Sequence, residues 1–228
     1  SLAFVALTED GNREFSFYRK PGADMLLESS WIDPKWFEDG CCLHFCSVSL
    51  GDYPMKEAHR KAIELARNAG MTISFDPNLR RPLWNDDEAL KKAVLEFLPL
   101  ADILKISDEE LFFLTGCQTL EDAKPLLFQG NVKLVIYTEG ADGACACTRQ
   151  VLARSPGIPV KAHDTTGAGD AFIGSFLYQL YEHGTCSTDL SSLTQDELKS
   201  FLDFSNRYCA RSVQKKGAIA SYPEKNEM

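Results

Sequence analysis

Apolar residues recur along this chain in two alternating rhythms. From Leu43 to Val48 they run almost unbroken, the pattern of a strand buried on both faces. From Met55 to Ala69 they fall on one helical face (Met55, Ala58, Ala62, Leu65, Ala66 and Ala69), and Gly70 follows where a helix closes in a left-handed cap. Met71 to Phe75 is apolar again. Strand, helix, strand in this order predicts a βαβ unit and a parallel sheet covered on both sides. The alternation continues. Asp86 or Asp87 caps a helix through Leu98, and Ala101 to Ile106 is a strand. Ser107 opens a short helix to Leu114, Glu121 to Phe128 is a helix, and Val132 to Tyr137 is a strand. Gly140 to Gly143 turns into a strand at Ala144 to Thr148. Ile158 to Ala162 alternates as a further strand, Phe172 to Tyr181 reads as a helix, and the last helix runs from about Gln195 to Val213. The chain opens differently: Leu2 to Thr8 and Arg13 to Arg19 alternate around Glu9-Asp10-Gly11-Asn12, a β-hairpin. A hairpin alone is marginal and its open edges need cover, which makes it a place for a homodimer contact. Trp31 to Phe37 connects it to the rest through a short helix. The expectation is a small β lid at 1–27 and an α/β core at 28–228.

Ligands of open parallel sheets bind outside the carboxyl ends of the strands. Asp76, Asn78 and Arg80 follow one such end, Ser107 a second, Thr138 and Gly140 a third, and Asp164 a fourth. The last of these begins the densest run in the chain, Asp164-Thr165-Thr166-Gly167-Ala168-Gly169-Asp170-Ala171-Phe172. It reads as a glycine-rich turn entering a helix, where unpaired N–H groups and the helix dipole favour an anion. Asp170 falls in the first turn, next to that anion. Two readings stand side by side. Asp164 or Thr166 caps the helix and Asp170 answers the dipole, or Asp170 is a general base. The spacing is neither that of a P-loop nor of a G-x-G-x-x-G fingerprint.

Composition narrows the classes. The net charge of −9 argues against nonspecific nucleic-acid binding and against an anionic membrane surface. No apolar run approaches the ~20 residues of a membrane helix. The eight cysteines form no pair of C-x-x-C motifs, so a structural zinc site is not indicated. Cys145-x-Cys147 and the group Cys41, Cys42, Cys46 with His44 are the candidates for a metal or a disulfide. Buried thiols in a reducing, cytoplasmic setting are the simpler reading. His44, His59, His163 and His183 have no partners at catalytic spacing.

Taken whole, the run from Asp164 resembles the closing D-T-x-G-A-G-D signature of the PfkB, or ribokinase-like, family of sugar and nucleoside kinases. Phe17-Tyr18-Arg19 with Ala23-Asp24-Met25-Leu26-Leu27 is similar to the lid segment of fructokinases in that family. Asp76-Pro77-Asn78-Leu79-Arg80-Arg81-Pro82-Leu83-Trp84 resembles their D-P-N-x-R-x-P-L-W segment. Ala101 to Glu110 and Lys216-Gly217-Ala218-Ile219 extend the likeness in the same order.

The resemblance implies a three-layer α/β/α sandwich with a mostly parallel sheet and a β lid. It implies ATP-dependent phosphorylation of a primary hydroxyl, with fructose as substrate and 2-keto-3-deoxygluconate as the alternative. It assigns Asp170 as the base and the backbone of Gly167, Ala168 and Gly169 as the anion hole. It puts Arg19, Asp24, Asp76, Asn78 and Arg80 on the sugar side, and Ser107, Thr138, Gly140 and Asn206 at the nucleotide. Glu110 would organise magnesium through water, although Ser107-x-x-Glu110, in place of the family's N-x-x-E, is equally a capping box. Asp164, Thr166, Gly217 and Ser221 match positions that hold a monovalent cation, usually potassium. One departure stands out. The family's first strand–helix units, with further lid strands and a glycine-rich sugar-binding signature, would precede Ser1. This leaves open a longer protein, a truncated copy, or a non-catalytic binding module.

Overall fold

The computed structural model describes residues 1–7, 13–19, 21–185 and 189–228. The predicted hairpin turn at 9–12, the expected strand end Thr8 and Cys186 lie outside the described residues. β1 (Leu2–Leu7) and β2 (Arg13–Tyr18) pair antiparallel as a separate two-stranded sheet, with Leu2 opposite Tyr18. A short helix α1 (Ala23–Leu26) and two 3-10 turns carry the chain into the core.

The core sheet has six strands in chain order: β3 (Cys42–Cys46), β4 (Thr72–Asp76), β5 (Ile103–Ser107), β6 (Leu134–Thr138), β7 (Gly143–Cys147) and β8 (Leu152–Pro156). β3 to β6 are parallel, and β7 is antiparallel to both β6 and β8, so β8 runs in the direction of the parallel set. Alternate side chains feed two cores. Phe45, Phe75, Leu104, Ile106 and Val135 pack on the side of α2 (Pro54–Asn68), α3 (Asp87–Phe97), α4 (Asp108–Thr115) and α5 (Leu120–Leu127). Ile103, Leu134, Ile136, Ala144 and Ala146 pack on the side of α6 (Ala168–Glu182) and α7 (Gln195–Ser212). Both faces of β4 to β6 are therefore dry, which is why these strands read as continuous apolar runs. The fold is a three-layer α/β/α sandwich with a mostly parallel sheet.

Two expectations are corrected. Ile158 to Ala162 is not a strand; it has no ladder partner and crosses the carboxyl ends of the strands as an extended, exposed segment. The strand preceding the signature is β8, which starts at Leu152 rather than Ile158 and is followed by an irregular run, ending on Pro156 at the sheet edge, where a missing N–H costs no ladder bond. The signature helix also begins earlier than its apolar stretch, at Ala168, so Gly169 and Asp170 are its first turn.

Candidate active site

The carboxyl ends of β4, β5 and β6 meet the start of α6 above the sheet. A buried ion pair lies at the centre. Lys105, in the middle of β5, places Nζ 2.9 Å from Oδ2 of Asp76 at the end of β4, with side chains only 7% and 2% exposed. Lys105 Nζ also lies 3.5 Å from where a Cβ on Gly169 would sit, so the ammonium is directly under the glycine turn. Burial pulls its pKa down, but the carboxylates of Asp76, Glu110 and Asp170 outweigh burial and hold it above the ordinary lysine value. Asp76 is pushed up to about 6, by burial first and then, against the pull of Lys105, by Glu110 and Asp170. Three carboxylates thus share one ammonium. Pattern reading missed Lys105, although a lone charge inside the run Ile103-Leu104-Lys105-Ile106 was a signal: buried lysines need partners.

The loop after β4 is held by side-chain acceptors. Asp76 Oδ1 accepts the Asn78 N–H at 3.2 Å, and Asn78 takes a positive φ of 47°. Glu110 accepts the Leu79 N–H at 3.0 Å through one oxygen and the Ser107 N–H at 2.9 Å through the other. Ser107 Oγ in turn accepts the Glu110 N–H, which completes a capping box on α4. Glu110 is therefore a cap that also pins the 78–80 loop, and it is buried behind the cavity wall. The acidic residues that do line the cavity are Asp108 and Glu109. Arg80 Nη1 donates to the Leu79 carbonyl at 3.0 Å.

That cavity, about 540 Å³, lies over the ends of β5 and β6. Ser107, Thr138, Gly140 and Asn206 all line it, together with Lys105, Thr165, Ala168 and Gly169 from the turn and Ile158, Pro159, Val160 and Ala162 from the segment expected to be a strand. Asn206 also serves the fold, since its amide donates to the Ser155 carbonyl and hydroxyl and to the Pro156 carbonyl, tying α7 to β8. Asp170 has an exposed side chain and lines a second hollow on the other side of the turn, with Tyr222.

The glycine turn is braced on several sides. Gly167 has φ +75°, and a Cβ there would fall 2.8 Å from both Ala218 Cβ and Tyr222 Oη, so only glycine fits. The Ala168 N–H turns back to the Thr165 carbonyl at 3.1 Å. Of the three N–H groups expected to face an anion, that one is therefore spent within the turn. The N–H groups of Gly167 and Gly169, and that of Asp170, have no partner among the described residues. Asp164 Oδ1 accepts from Thr166 N–H at 2.9 Å and from Thr166 Oγ1 at 2.6 Å, while Oδ2 accepts from Gly217 N–H at 2.9 Å. Ser221 lies in the same C-terminal segment but turns inward, donating to the Ala218 carbonyl and meeting Ser212 Oγ at 2.8 Å.

Two residues expected on the sugar side do something else first. Arg19 is 7% exposed and pairs with Asp24 at 2.6 Å, donating also to the Val48 carbonyl at 2.9 Å and to Ser49 Oγ at 3.0 Å. It fastens the end of β2 to the segment that follows β3. The cysteines expected to be buried divide. Cys145 and Cys147 are buried, with pKa values raised by burial to about 11 and about 12, whereas Cys41 is exposed. Among the described residues no three His, Cys, Asp or Glu side chains converge as a metal site, and no helix is long and apolar enough to cross a membrane.

The chain is similar in sequence and fold to known proteins. The model of the pfkB family of carbohydrate kinases matches residues 1–225. The chain is 41% identical over 225 residues to probable fructokinase-2 of Arabidopsis thaliana, covering 98% of this chain and 67% of that protein. It is 40% identical over 228 residues to fructokinase-2 of Solanum lycopersicum, covering 100% and 68%. Among solved structures, fructokinase from Xylella fastidiosa with bound ATP superposes with a TM-score of 0.90 at 33% identity, over 99% of this chain and 70% of that one. Fructokinase from Vibrio cholerae O395 with fructose, ADP and calcium gives 0.84 at 35% identity, over 98% and 71%.

Proposed function

The chain belongs to the pfkB family of carbohydrate kinases, and from that premise we propose that it transfers the terminal phosphoryl group of ATP to a primary hydroxyl of fructose. One observation carries this reading. Asp170 stands in the first turn of α6, one residue beyond Gly169, whose N–H has no partner among the described residues, and acts electrostatically on the Lys105–Asp76 pair, which supports its reading as the carboxylate that meets an incoming hydroxyl.

Phosphoryl transfer needs alignment, charge neutralisation and a base. The 540 Å³ cavity takes the nucleotide, with Thr138 and Gly140 at the phosphate edge and Asn206 on the adenine wall. The N–H groups of Gly167 and Gly169 and the Lys105 ammonium answer the charge on the transferred group. Asp170 takes the proton of the sugar hydroxyl. The loop carrying Asp76, Asn78 and Arg80 presents the sugar, with the Arg19–Asp24 pair closing that side. Magnesium bound with ATP would neutralise its phosphates. Asp108 and Glu109, which line the cavity, would hold it, and Glu110, which does not line the cavity, would act on it only through water. Potassium is the ion for the segment joining Asp164, Thr166, Gly217 and Ser221. A cytoplasmic setting suits ATP chemistry and free thiols, and the exposed Leu2, Phe4 and Tyr18 of the hairpin are where a second copy would cover it.

The test is Asp170→Asn in a coupled assay with ATP and a panel of fructose, 2-keto-3-deoxygluconate and ribose. Wild type is expected to prefer fructose, and the variant to lose ~10²–10⁴-fold in kcat. A variant that turns over fructose as fast as wild type sinks the assignment of the base. Wild-type protein that binds ATP but phosphorylates none of the sugars establishes the non-catalytic alternative.

A further inference from the structure

The two peptide units that form the anion-facing turn are each held by a side chain from elsewhere in the chain. Tyr222 Oη donates to the Gly167 carbonyl at 3.1 Å, and Cys209 Sγ, on α7, donates to the Ala168 carbonyl at 3.3 Å. A peptide unit is planar, so fixing a carbonyl fixes the N–H that follows it in the opposite direction. The Ala168 carbonyl belongs to the same unit as the Gly169 N–H, which has no partner among the described residues and belongs to a residue lining the cavity. The Gly167 carbonyl belongs to the unit whose N–H bonds Thr165, and it also accepts the first helical bond, from Ala171 N–H at 2.8 Å. Neither Cys209 nor Tyr222 belongs to the signature run. They lie 41 and 55 residues from the carbonyls they hold.

Resting on the kinase reading above, we propose that Cys209 and Tyr222 are positioning residues for phosphoryl transfer. Each clamps one carbonyl of the Gly167–Ala168–Gly169 backbone, and together they aim the Gly169 N–H at the transferred phosphoryl group. The chemistry of both groups suits a permanent donor. The Cys209 thiol is held protonated, with burial pushing it up to about 12, and the Tyr222 phenol is likewise raised by burial and by the nearby Asp170. Tyr222 is further located by its ring, which packs against Tyr208 with centroids 6.0 Å apart. Removal of its hydroxyl therefore leaves the ring in place.

The experiment compares Cys209→Ala, Cys209→Ser and Tyr222→Phe in the full chain with ATP and fructose. Cys209→Ala and Tyr222→Phe are expected to lower kcat about 10- to 100-fold, the scale of a reacting group misplaced by a fraction of an ångström to an ångström. The KM values for both substrates should stay within about threefold, because the contact is made in the transition state. Cys209→Ser keeps a donor and should recover most of the loss. An alanine variant as active as wild type, or a serine variant no better than alanine at an equal unfolding midpoint, overturns the proposal. If wild type phosphorylates no sugar, the kinase reading itself fails. The clamp is then judged by calorimetry with ADP plus aluminium fluoride, a planar phosphoryl mimic. Weaker binding of the mimic by Cys209→Ala and Tyr222→Phe, with affinity for ADP alone unchanged, supports the clamp. Unchanged binding of the mimic overturns it.

Discussion

Lys105 Nζ sits 2.9 Å from Asp76 Oδ2, both side chains almost fully enclosed, and the carboxylates of Glu110 and Asp170 act on the same ammonium. The cluster is short of positive charge, and that deficit decides how it responds to pH. Asp76 is raised to about 6, above its unfolded value near 3.8. For a carboxyl raised in the fold, the native state binds more protons between those values, so its contribution to stability grows as pH falls through about 6 and is lost as pH rises through it. Lys105→Met removes the ammonium paired with Asp76 and leaves that buried carboxylate without it. The expected loss is about 3–5 kcal/mol at pH 8, where Asp76 is ionised, and distinctly less at pH 5, where it is protonated. Urea unfolding at the two pH values checks this, and an equal loss at both would contradict it.

Glu110 gives a second, separable prediction. Its two oxygens hold the Ser107 and Leu79 N–H groups, so Glu110→Ala strands two donors, one of them at the loop of Asn78 and Arg80. The expected cost is about 1–3 kcal/mol. On the kinase reading the KM for the sugar should rise more than the KM for ATP. Glu110→Gln, which keeps one acceptor oxygen, should retain part of both. If the residue's main role is instead to order magnesium, the variant's magnesium requirement will rise while its unfolding midpoint does not move, and titration of activity against magnesium separates the outcomes.

What could be read from the sequence follows from which residues are buried on how many sides. β3 to β6 and the helices between them were legible because dry strands leave apolar runs and their helices leave apolar faces. β8 was not, because Leu152-Ala153-Arg154-Ser155-Pro156 buries only Ala153 and Ser155, so its one-sided alternation carries little hydrophobicity. The segment at Ile158 to Ala162 misled for the converse reason. Its apolar residues line a cavity instead of a core, and periodicity records apolarity without saying what covers it. In the site, residues at strand ends were found from their motif, but their partners were not. Nothing local in the sequence says that Glu110 reaches Leu79, or that Cys209 and Tyr222 meet the glycine turn; those contacts exist only once the sheet order is set.

The Arg19–Asp24 pair predicts that the hairpin's attachment is electrostatic. Arg19 spends its guanidinium on Asp24, Ser49 Oγ and the Val48 carbonyl, and lies over the Tyr53 ring at 5.8 Å. Lysine cannot reproduce that fork. Arg19→Lys is expected to lower the unfolding free energy by about 1–2 kcal/mol and to speed cleavage within the hairpin by a nonspecific protease. Burial raises the pKa of Asp24, but the Ser1 hydroxyl and Arg19 outweigh it and hold the carboxyl below its usual value. Its contribution is therefore present above the unfolded value near 3.8 and is lost as pH falls through the folded one. The difference in cleavage rate between wild type and Asp24→Asn should accordingly be clear at pH 7 and should shrink toward pH 3.

Asp164 joins two distant parts of the chain, the start of the signature through Thr166 and the C-terminal segment through Gly217. A structural link and a cation ligand make different demands on it. As a link, it needs two acceptor oxygens, and Asp164→Asn turns one of them into a donor facing an N–H or a hydroxyl, at an expected cost of about 1–3 kcal/mol in any salt. As part of a potassium site, it also needs its negative charge, since hard cations are held by oxygen ligands and favour carboxylates. Wild-type turnover should then be higher in potassium chloride than in tetramethylammonium chloride at equal ionic strength, and Asp164→Asn should abolish that difference as well as lower the unfolding midpoint. A wild type indifferent to the cation, with the variant merely less stable, would reduce Asp164 to the link alone. The comparison is informative because the stability loss is expected in either case, and only the salt dependence reports the ion.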